Sequence, residues 1–304
     1  MTVSKFLTIK DLPPPPPNKK GWPWTEGSNI IPEIMLDGLT WPKISIITPS
    51  FNQGKFLEET IRSVLLQGYP NLEYILMDGG STDNSLEIIN KYEEFFTYWT
   101  SKNDKGQSHA INSGFNQAKG KICAWLNSDD CYCPNILSNI ANEFRQGKNI
   151  RCITCSVERV TPDNNFICLT NPPSTKFSNI FWWSYYVPQA GVFFNHDLFI
   201  EAGKLDESLH LQMDYDLWFR FSEITNFHHY EIIASKIKIH NNAKTTSPKY
   251  KILSKAEAIE VKLRYANTGT RKKILEEIAR RITYCERKEI LGNQFKKILK
   301  RFSL

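Results

Sequence analysis

The stretch that decides the fold is Lys121-Ile-Cys-Ala-Trp-Leu-Asn-Ser-Asp-Asp-Cys-Tyr-Cys133. Its apolar half, residues 122–126, has the length and bulk of a buried strand. The strand runs into residues 127–130, where two adjacent carboxylates repel each other unless something offsets their charge. A hard divalent cation does so, because Mg²⁺ and Mn²⁺ take oxygen ligands and are often held by carboxylates plus substrate phosphates. The alternative is a polar turn in which Asp130 caps the helix after Pro134.

Strands and helices alternate around this stretch. Short apolar or β-branched runs predict strands, and helical stripes of apolar residues predict helices. The predicted strands cover residues 44–48, 72–77, 97–101 and 122–126, and the predicted helices cover 56–66, 84–95 and 109–118. This alternation predicts an α/β fold with a mostly parallel central sheet flanked by helices.

Polar clusters stand where the predicted strands end, at residues 50–53, 78–83, 104–107 and 127–130. Ligands bind beyond the carboxyl ends of the strands in such sheets, so we expect one shared site there. Further along, the pattern predicts a helix ending at residue 144, strands over 151–157 and 192–194, a hairpin turn at 161–165, and a helix opened by Asp214 and Asp216.

The composition is typical of a globular protein. The chain has 304 residues, of which 41% are hydrophobic, an ordinary share for a globular protein. It contains no run of about 18 apolar residues that would predict a membrane-spanning helix. The first ten residues do not resemble a secretory signal, and seven cysteines, an odd number, favour reduced thiols and a cytoplasmic location.

Basic charge is concentrated near the end of the chain. Residues 271–304 hold 11 Lys/Arg against 4 Asp/Glu, a net charge of +7, whereas the whole chain carries +6. The rest therefore carries −1, which argues against a nucleic-acid-binding face. Residues 274–302 read as a basic amphipathic helix suited to an anionic membrane surface, such as the inner face of the membrane. Packing on the domain or on a homodimer partner is the alternative.

Four short motifs carry a family resemblance. They are Thr48-Pro-Ser-Phe-Asn-Gln53, Asp78-Gly-Gly-Ser-Thr-Asp83, Leu126-Asn-Ser-Asp-Asp130 and Met213-Asp-Tyr-Asp-Leu-Trp218. Together they resemble the ordered signatures of family 2 glycosyltransferases, which are inverting nucleotide-sugar enzymes of the Rossmann-like GT-A fold. Each motif alone is weak, but four in this order at predicted strand ends are a strong signal. The resemblance covers residues 43–240.

The resemblance implies a nucleotide-binding role for residues at the strand ends: Pro49, Phe51, Asn52, Asp78, Gly79, Asp104, Asn127 and Asp129. Asp78 would accept a hydrogen bond from a uracil-type N3–H, because an ionised carboxylate is acceptor-only. Glycine at 79 would let the backbone approach the base closely. The alternatives are a plain turn over 78–83 with Asp83 as N-cap, and a surface loop at Asp104.

A divalent metal, Mn²⁺ or Mg²⁺, is also implied by the resemblance. Asn127-Ser-Asp129 stands where the family usually has Asp-x-Asp, so Asp129 is the first metal ligand we expect and Asp130 the second. His240 lies where many relatives have a histidine that reaches the metal or the diphosphate; the alternative is a structural histidine. Gln189, with Trp182 and Trp183, would line the donor and acceptor pocket, although the aromatic residues could instead be core.

Asp214 is the catalytic base that the resemblance implies. A carboxylate near a helix N-terminus remains ionised and can take a proton from an acceptor hydroxyl. The alternative for Asp214 is simple N-terminal capping. Residues two apart do not share a helical face, so Asp216 should have another role, and we expect it to anchor the helix.

The sequence therefore predicts three regions. Residues 1–42 form an arm with prolines at 13–17, expected to pack on the body rather than serve a proline-reading partner. Residues 43–247 form the catalytic domain, and residues 248–304 a basic amphipathic helical region.

The predicted activity is transfer of a sugar with inversion from a nucleoside diphosphate sugar, UDP- or dTDP-linked, to a hydroxyl of a glycan or lipid-linked acceptor. Two other functions stay open. A nucleotidyltransferase could use a similar sheet and metal carboxylates, although residues 50–55 are a poor match to its glycine-rich phosphate loop. A non-catalytic nucleotide-sugar-binding protein is the other, and Asn127 favours it.

Overall fold

The structure is a computed structural model that describes residues 6–35, 37–147, 149–172, 187–241, 243–244, 247–266, 269–270 and 273. Its strands are β1 (Ile44–Ser50), β2 (Leu72–Asp78), β3 (Tyr98–Ser101), β4 (Ile122–Trp125), β5 (Cys131–Tyr132), β6 (Cys152–Val160), β7 (Phe166–Thr170), β8 (Val192–Asn195) and β9 (His228–Lys238). Its helices are α1 (Gly54–Leu65), α2 (Ser85–Lys91), α3 (Gln107–Gln117), α4 (Ile136–Gln146), α5 (His196–Glu201), α6 (Met213–Ile224) and α7 (Lys251–Tyr265).

Within the described residues the strands form one sheet in the order β3-β2-β1-β4-β8-β6-β9-β5, with β7 paired to β6. Strands β3, β2, β1 and β4 run parallel, and so do β6 and β9. Antiparallel pairs join β8 to β4 and β6, and β5 to β9. The α/β fold with a mostly parallel sheet, predicted from the sequence, is confirmed.

Helices cover both faces of the sheet, which is why its central strands are apolar almost without interruption. Every residue of β1 is buried. Ile46 packs with α1, α2 and α4 on one face, whereas its neighbour Ile47 packs with α3, α5 and α6 on the other. This alternation follows from the two-residue period of a strand.

The bounds of most predicted elements agree with the observed ones to within about two residues, and two elements differ by more. The helix predicted over 84–95 ends at Lys91, and a separate 3₁₀ turn follows at Glu93–Phe95. The strand predicted over 151–157 continues to Val160 because β7 and β9 both pair along it. The predicted hairpin turn closes where the Thr161 N–H donates to the Asn165 carbonyl at 2.9 Å.

The described part of the N-terminal arm is hydrogen-bonded to α1. Arg62 of α1 is fully buried, and its guanidinium donates to the carbonyl oxygens of Pro13 at 2.8 Å, Pro23 at 3.0 Å and Trp24 at 3.1 Å. Leu12 is buried in the same core. The Arg62 guanidinium thus supplies hydrogen-bond donors to three backbone carbonyls of the arm, which lie outside the helices and strands.

Helix α7 begins the C-terminal region and packs on α6. The Tyr265 ring stacks on Phe219 with centroids 5.0 Å apart. Among the residues described, none of the helices is both long and apolar enough to cross a membrane. The predicted amphipathic helix over 274–302 and the pocket residues Trp182 and Trp183 lie outside the described residues.

Candidate active site

Asp78 ends β2, and its buried carboxylate holds the loop that follows. Oδ2 accepts from the N–H groups of Gly80 at 3.1 Å and Ser81 at 2.9 Å and from the Ser101 hydroxyl at 2.7 Å. Oδ1 accepts from the Ser81 hydroxyl at 2.5 Å. A carboxylate oxygen has two lone pairs, so Oδ1 keeps acceptor capacity for an incoming N–H donor.

The loop after β1 is tied to the loop after β2. The Asn52 N–H donates to the Ser81 hydroxyl at 2.7 Å, and Asn52 Oδ1 accepts from the Thr82 N–H at 2.8 Å. Asn52 adopts a left-handed conformation with φ of 53°, which asparagine tolerates better than most residues. The side chain of Phe51 next to it is exposed, and Pro49 lies within β1. An aromatic face is therefore open to solvent beside the strand ends.

Asp83 and Asp104 complete this edge. Asp83 accepts from the Gly54 N–H at 2.9 Å and the Ser85 N–H at 3.0 Å, the first residues of α1 and α2. The N-cap position of α2 is Asn84, one residue after the position expected in the capping alternative. The Asp104 carboxylate lies against Gly79, where an added Cβ would stand 2.9 Å from Oδ2. A side chain at 79 would therefore require the Asp104 carboxylate to move away.

Asn127 follows β4 and joins two other amides. Its Oδ1 accepts from Gln107 Nε2 at 2.8 Å, and its Nδ2 donates to Gln189 Oε1 at 3.2 Å. Gln189 Nε2 donates to the Trp125 carbonyl at 2.6 Å, and Lys244 Nζ donates to Gln107 Oε1 at 3.0 Å. An aspartate at 127 could only accept, so asparagine is the residue that can bond both glutamines in this arrangement.

Asp129 and His240 meet at the same edge. Asp129 Oδ2 lies 3.0 Å from His240 Nε2, and the imidazole packs against Phe56 with ring centroids 4.7 Å apart. A carboxylate oxygen and an imidazole nitrogen are both ligands that Mn²⁺ accepts. Across the described chain, however, three His, Cys, Asp or Glu side chains do not gather at any point in a way that could hold a metal ion. The pair fits part of a coordination shell, and substrate oxygens and water would have to supply the rest.

Asp130 is turned towards the protein interior. Its side chain is buried, Oδ1 accepts from the Lys238 N–H at 3.3 Å, and Asn127 Nδ2 lies 3.5 Å from Oδ2. Burial first, and then the charge of Asp129, raise the pKa of Asp130 well above its usual value. The fully buried Lys238 ammonium nearby lies 3.4 Å from Glu59 Oε1. Asp130 is thus placed behind Asp129 among buried charges.

Asp214 lies in the first turn of α6 and is half-buried. Its Oδ1 accepts from the Tyr215 N–H at 2.8 Å. Burial raises the pKa of Asp214 to about 6, and the charge of Glu257 acts in the same direction. A carboxyl group with a pKa near neutrality can hold and release a proton under physiological conditions, which suits general base chemistry.

Asp216 has the anchoring role predicted for it. Its buried carboxylate accepts from Arg220 Nη2 at 2.6 Å, lies 3.3 Å from Arg264 Nη1, and accepts from the Tyr265 hydroxyl at 3.1 Å. Arg220 is on the next turn of α6, whereas Arg264 and Tyr265 belong to α7. The carboxylate therefore links the two helices and does not face the strand ends.

The first turn of α3 connects α6 to the strand ends. Gln107 bonds Asn127, and the hydroxyl of the next residue, Ser108, lies 2.8 Å from Met213 Sδ at the start of α6. Asp214 follows Met213 directly. The structure thus brings the polar strand ends and Asp214 to one side of the sheet. We use "strand-end cluster" for Asp78, Asp104, Asn127, Asp129 and His240.

Two residues that take part in this hydrogen-bond network, Gln107 and Lys244, were not among the site residues predicted from the sequence. Gln107 belongs to the polar cluster noticed after β3, so its position was a signal. Lys244 follows His240 by four residues in a segment without periodicity, and nothing in the sequence singles it out.

Comparison with known proteins gives a family and a set of relatives. A family model described as Glycosyl transferase family 2 matches residues 45–199. A glycosyltransferase of Rickettsia typhi of uncharacterised activity is 28% identical over 225 residues, which cover 72% of this chain and 70% of the relative. The chondroitin synthase of Pasteurella multocida is 27% identical over 212 residues, which cover 66% of this chain and 21% of the synthase.

Solved structures share the fold at low sequence identity. A 1–349 fragment of TarS from S. aureus, in complex with UDP-GlcNAc, superposes with a TM-score of 0.61 at 17% identity, over 79% of this chain and 72% of that chain. A mannosyltransferase from Pyrobaculum calidifontis, in complex with GDP-Man and Mn²⁺, gives 0.56 at 14% identity, over 80% and 69%. This chain spans 43% of the longer TarS chain. These similarities confirm the GT-A fold.

Proposed function

The chain belongs to glycosyl transferase family 2 and is a glycosyltransferase, and from this premise we propose that it moves a sugar from a nucleoside diphosphate sugar to a hydroxyl group. The acceptor is a glycan or a lipid-linked glycan, and the anomeric configuration is inverted. A UDP-sugar is the donor class we favour, because TarS structures contain UDP and UDP-GlcNAc. A dTDP-sugar offers the same N3–H and diphosphate.

The observation that carries this proposal is the position of Asp214. It lies one residue from Met213, whose sulfur contacts Ser108, and Ser108 is adjacent to the Gln107 that bonds Asn127. A base on this side of the sheet can face a donor held at the strand-end cluster. Its pKa of about 6 keeps the carboxylate largely ionised at neutral pH while preserving useful basicity.

The strand-end cluster supplies the donor contacts. Asp78 Oδ1 accepts the N3–H of a uracil or thymine ring, with the ring lying beside the exposed Phe51. Asp104 and Asn127 face the ribose. Asp129 and His240 would hold a divalent metal, with Asp130 behind them, and the bound metal would offset negative charge that develops on the leaving diphosphate.

The reaction is a single displacement in which Asp214 acts on the acceptor. The carboxylate takes the proton of the acceptor hydroxyl as its oxygen attacks the anomeric carbon. The bond between that carbon and the diphosphate oxygen breaks on the opposite face, so its electron pair leaves with the nucleoside diphosphate. One base suffices, whereas a glycosidase needs a pair of carboxyl groups.

A screen for thermal stabilisation tests the donor class. The chain is heated with Mn²⁺ and a panel of UDP-, dTDP- and GDP-sugars, because a ligand bound only by the folded state raises the melting temperature. We expect the largest shift from a UDP- or dTDP-sugar. The stabilising donor is then incubated with enzyme and the products are analysed: free nucleoside diphosphate supports the proposal, and pyrophosphate contradicts it.

A further inference from the structure

Helix α7 places a buried carboxylate at the start of α6. Glu257 is 5% exposed, and its two oxygens accept from three consecutive backbone N–H groups. Oε1 accepts from His210 at 3.0 Å, and Oε2 accepts from Leu211 at 2.7 Å and from Gln212 at 3.0 Å. Both carboxylate oxygens are therefore engaged, and Oε2 accepts twice. Glu257 therefore fixes the segment that leads into α6.

The three N–H groups belong to the segment that enters α6, not to the first turn of the helix. Gln212 stands at the N-cap position and makes no side-chain capping bond. Its side chain instead donates from Nε2 to the Ser254 hydroxyl on α7 at 2.9 Å, one helical turn before Glu257. A carboxylate near a helix N-terminus is also favoured by the helix dipole. The entry into α6 is thus held by two side chains of α7.

We propose that Glu257 is a positioning residue for the base Asp214: it fixes residues 210–212, and through them the direction in which Asp214 faces the acceptor. This inference rests on the proposed function of Asp214. Asp214 lies two residues beyond Gln212, in the first turn of α6 and just after the segment that Glu257 holds. Glu257 does not touch substrate in this account and acts through backbone geometry and charge.

The charged groups around the pair come from three elements. Glu257 on α7 disfavours ionisation of Asp214 and so raises its pKa. Asp216, further along α6, points to Arg220 and Arg264 instead. Lys244, after β9, interacts with Glu257, Asp104 and Asp129; desolvation lowers its pKa and these carboxylates oppose the change. Removing the Glu257 charge should therefore ease ionisation of Asp214.

A measurement without substrate tests the electrostatic part. The folded-state pKa of Asp214 is raised to about 6, so its contribution to stability falls as pH rises from the unfolded value near 4 and levels off above the folded pKa. We expect this fall in the difference between the melting temperatures of the wild-type protein and the Asp214→Asn variant. In a Glu257→Gln background the same difference should level off at a lower pH, because the charge of Glu257 raises the pKa of Asp214.

A kinetic measurement tests positioning, with the donor found in the thermal screen. We expect Glu257→Gln to lower kcat about tenfold, because a misdirected base loses rate, and to leave the donor KM unchanged. Glu260→Gln is the matched control: Glu260 is also buried on α7, but it bonds Arg264. It should leave kcat at the wild-type value, together with the pH at which the stability difference levels off.

The second variant, Glu257→Asp, covers the case in which Glu257→Gln does not fold. It keeps the charge but shortens the side chain. We therefore expect the stability difference to level off at the wild-type pH, and kcat to be about tenfold lower. A wild-type kcat in Glu257→Asp overturns the proposal. So does a Glu257→Gln enzyme whose kcat and levelling-off pH match those of Glu260→Gln. Wild-type transfer by Asp214→Asn would instead overturn the proposed function, which the substrate-free measurement does not use.

Discussion

The strand-end cluster and the start of α6 are built in different ways. At the strand-end cluster, loop side chains bond backbone groups and other polar side chains, as Asp78 does with Gly80 and Asn127 does with Gln189. At α6, ion pairs to buried carboxylates come from α7, as with Asp216 and Arg264. The cluster is thus held mainly by hydrogen bonds among the loops at the strand ends, whereas the helix that carries the proposed base is held by charged groups of a second helix.

Substitutions in the two regions should therefore affect different properties. A substitution in the strand-end cluster removes a contact to ligand or loop and should weaken binding first. A substitution between α6 and α7 removes one partner of a buried charged group and should lower the free energy of unfolding.

The largest effect is expected from Asp214→Asn. We predict that transfer falls by about a thousandfold, within the range of general base catalysis, while the donor still raises the melting temperature. Release of nucleoside diphosphate measures the rate. The control is Glu223→Gln, an exposed carboxylate on the same helix, which should keep full activity. An active Asp214→Asn enzyme would falsify the base assignment.

The next effect is on stability. Asp216→Asn removes the buried carboxylate that Arg220 and Arg264 share, so we predict a loss of about 2 kcal/mol in the free energy of unfolding from the lost charged hydrogen bonds. Urea denaturation measures it. Asp206→Asn removes a more exposed partner of Arg264 and should cost about 1 kcal/mol or less. Equal losses in the two variants would contradict the view that α7 stabilises the base helix through Asp216.

His240→Gln tests the strand-end cluster. Losing one of two proposed ligands should raise the Mn²⁺ concentration needed for donor stabilisation by about tenfold or more, with little change in unfolding free energy. Thermal shift against Mn²⁺ at fixed UDP measures it. His210→Gln, an exposed histidine before α6, serves as the control. An unchanged Mn²⁺ requirement would remove His240 from the metal site.

The smallest effect is the pH dependence. Asp214 must be ionised to act as base, and its pKa is raised to about 6. We therefore predict that kcat/KM is level above this value and falls about tenfold for each pH unit below it. A profile measured from pH 5 to 8 checks this. A profile that stays level down to pH 5 would mean that Asp214 is solvated like an ordinary aspartate.

The same contrast explains what the sequence could predict. Asp78 and Asp129 follow apolar runs, and parallel strands bring their carboxyl ends to one edge, so their shared location could be predicted. The anchoring role of Asp216 followed from helical spacing. The bonds from Glu257 to residues 210–212 could not be predicted, because they join segments more than 40 residues apart through tertiary packing.

For Asn127 the sequence revealed an unusual residue but not its hydrogen-bond partners. Its departure from the expected aspartate was visible in the sequence and favoured a non-catalytic alternative. The structure gives it two glutamine partners, one accepting and one donating, which an aspartate could not satisfy. Gln107, Gln189 and Lys244 come from three separate segments, so only the fold reveals the network that makes asparagine suitable here.

The most direct test of the account is the configuration of the first product. The donor found by thermal shift is hydrolysed slowly by the enzyme with Mn²⁺, and proton NMR records the anomeric signal of the released sugar before it mutarotates. A single displacement assisted by Asp214 predicts the anomer opposite to that of the donor, together with free nucleoside diphosphate. Release of the sugar with the donor's own configuration would contradict the mechanism.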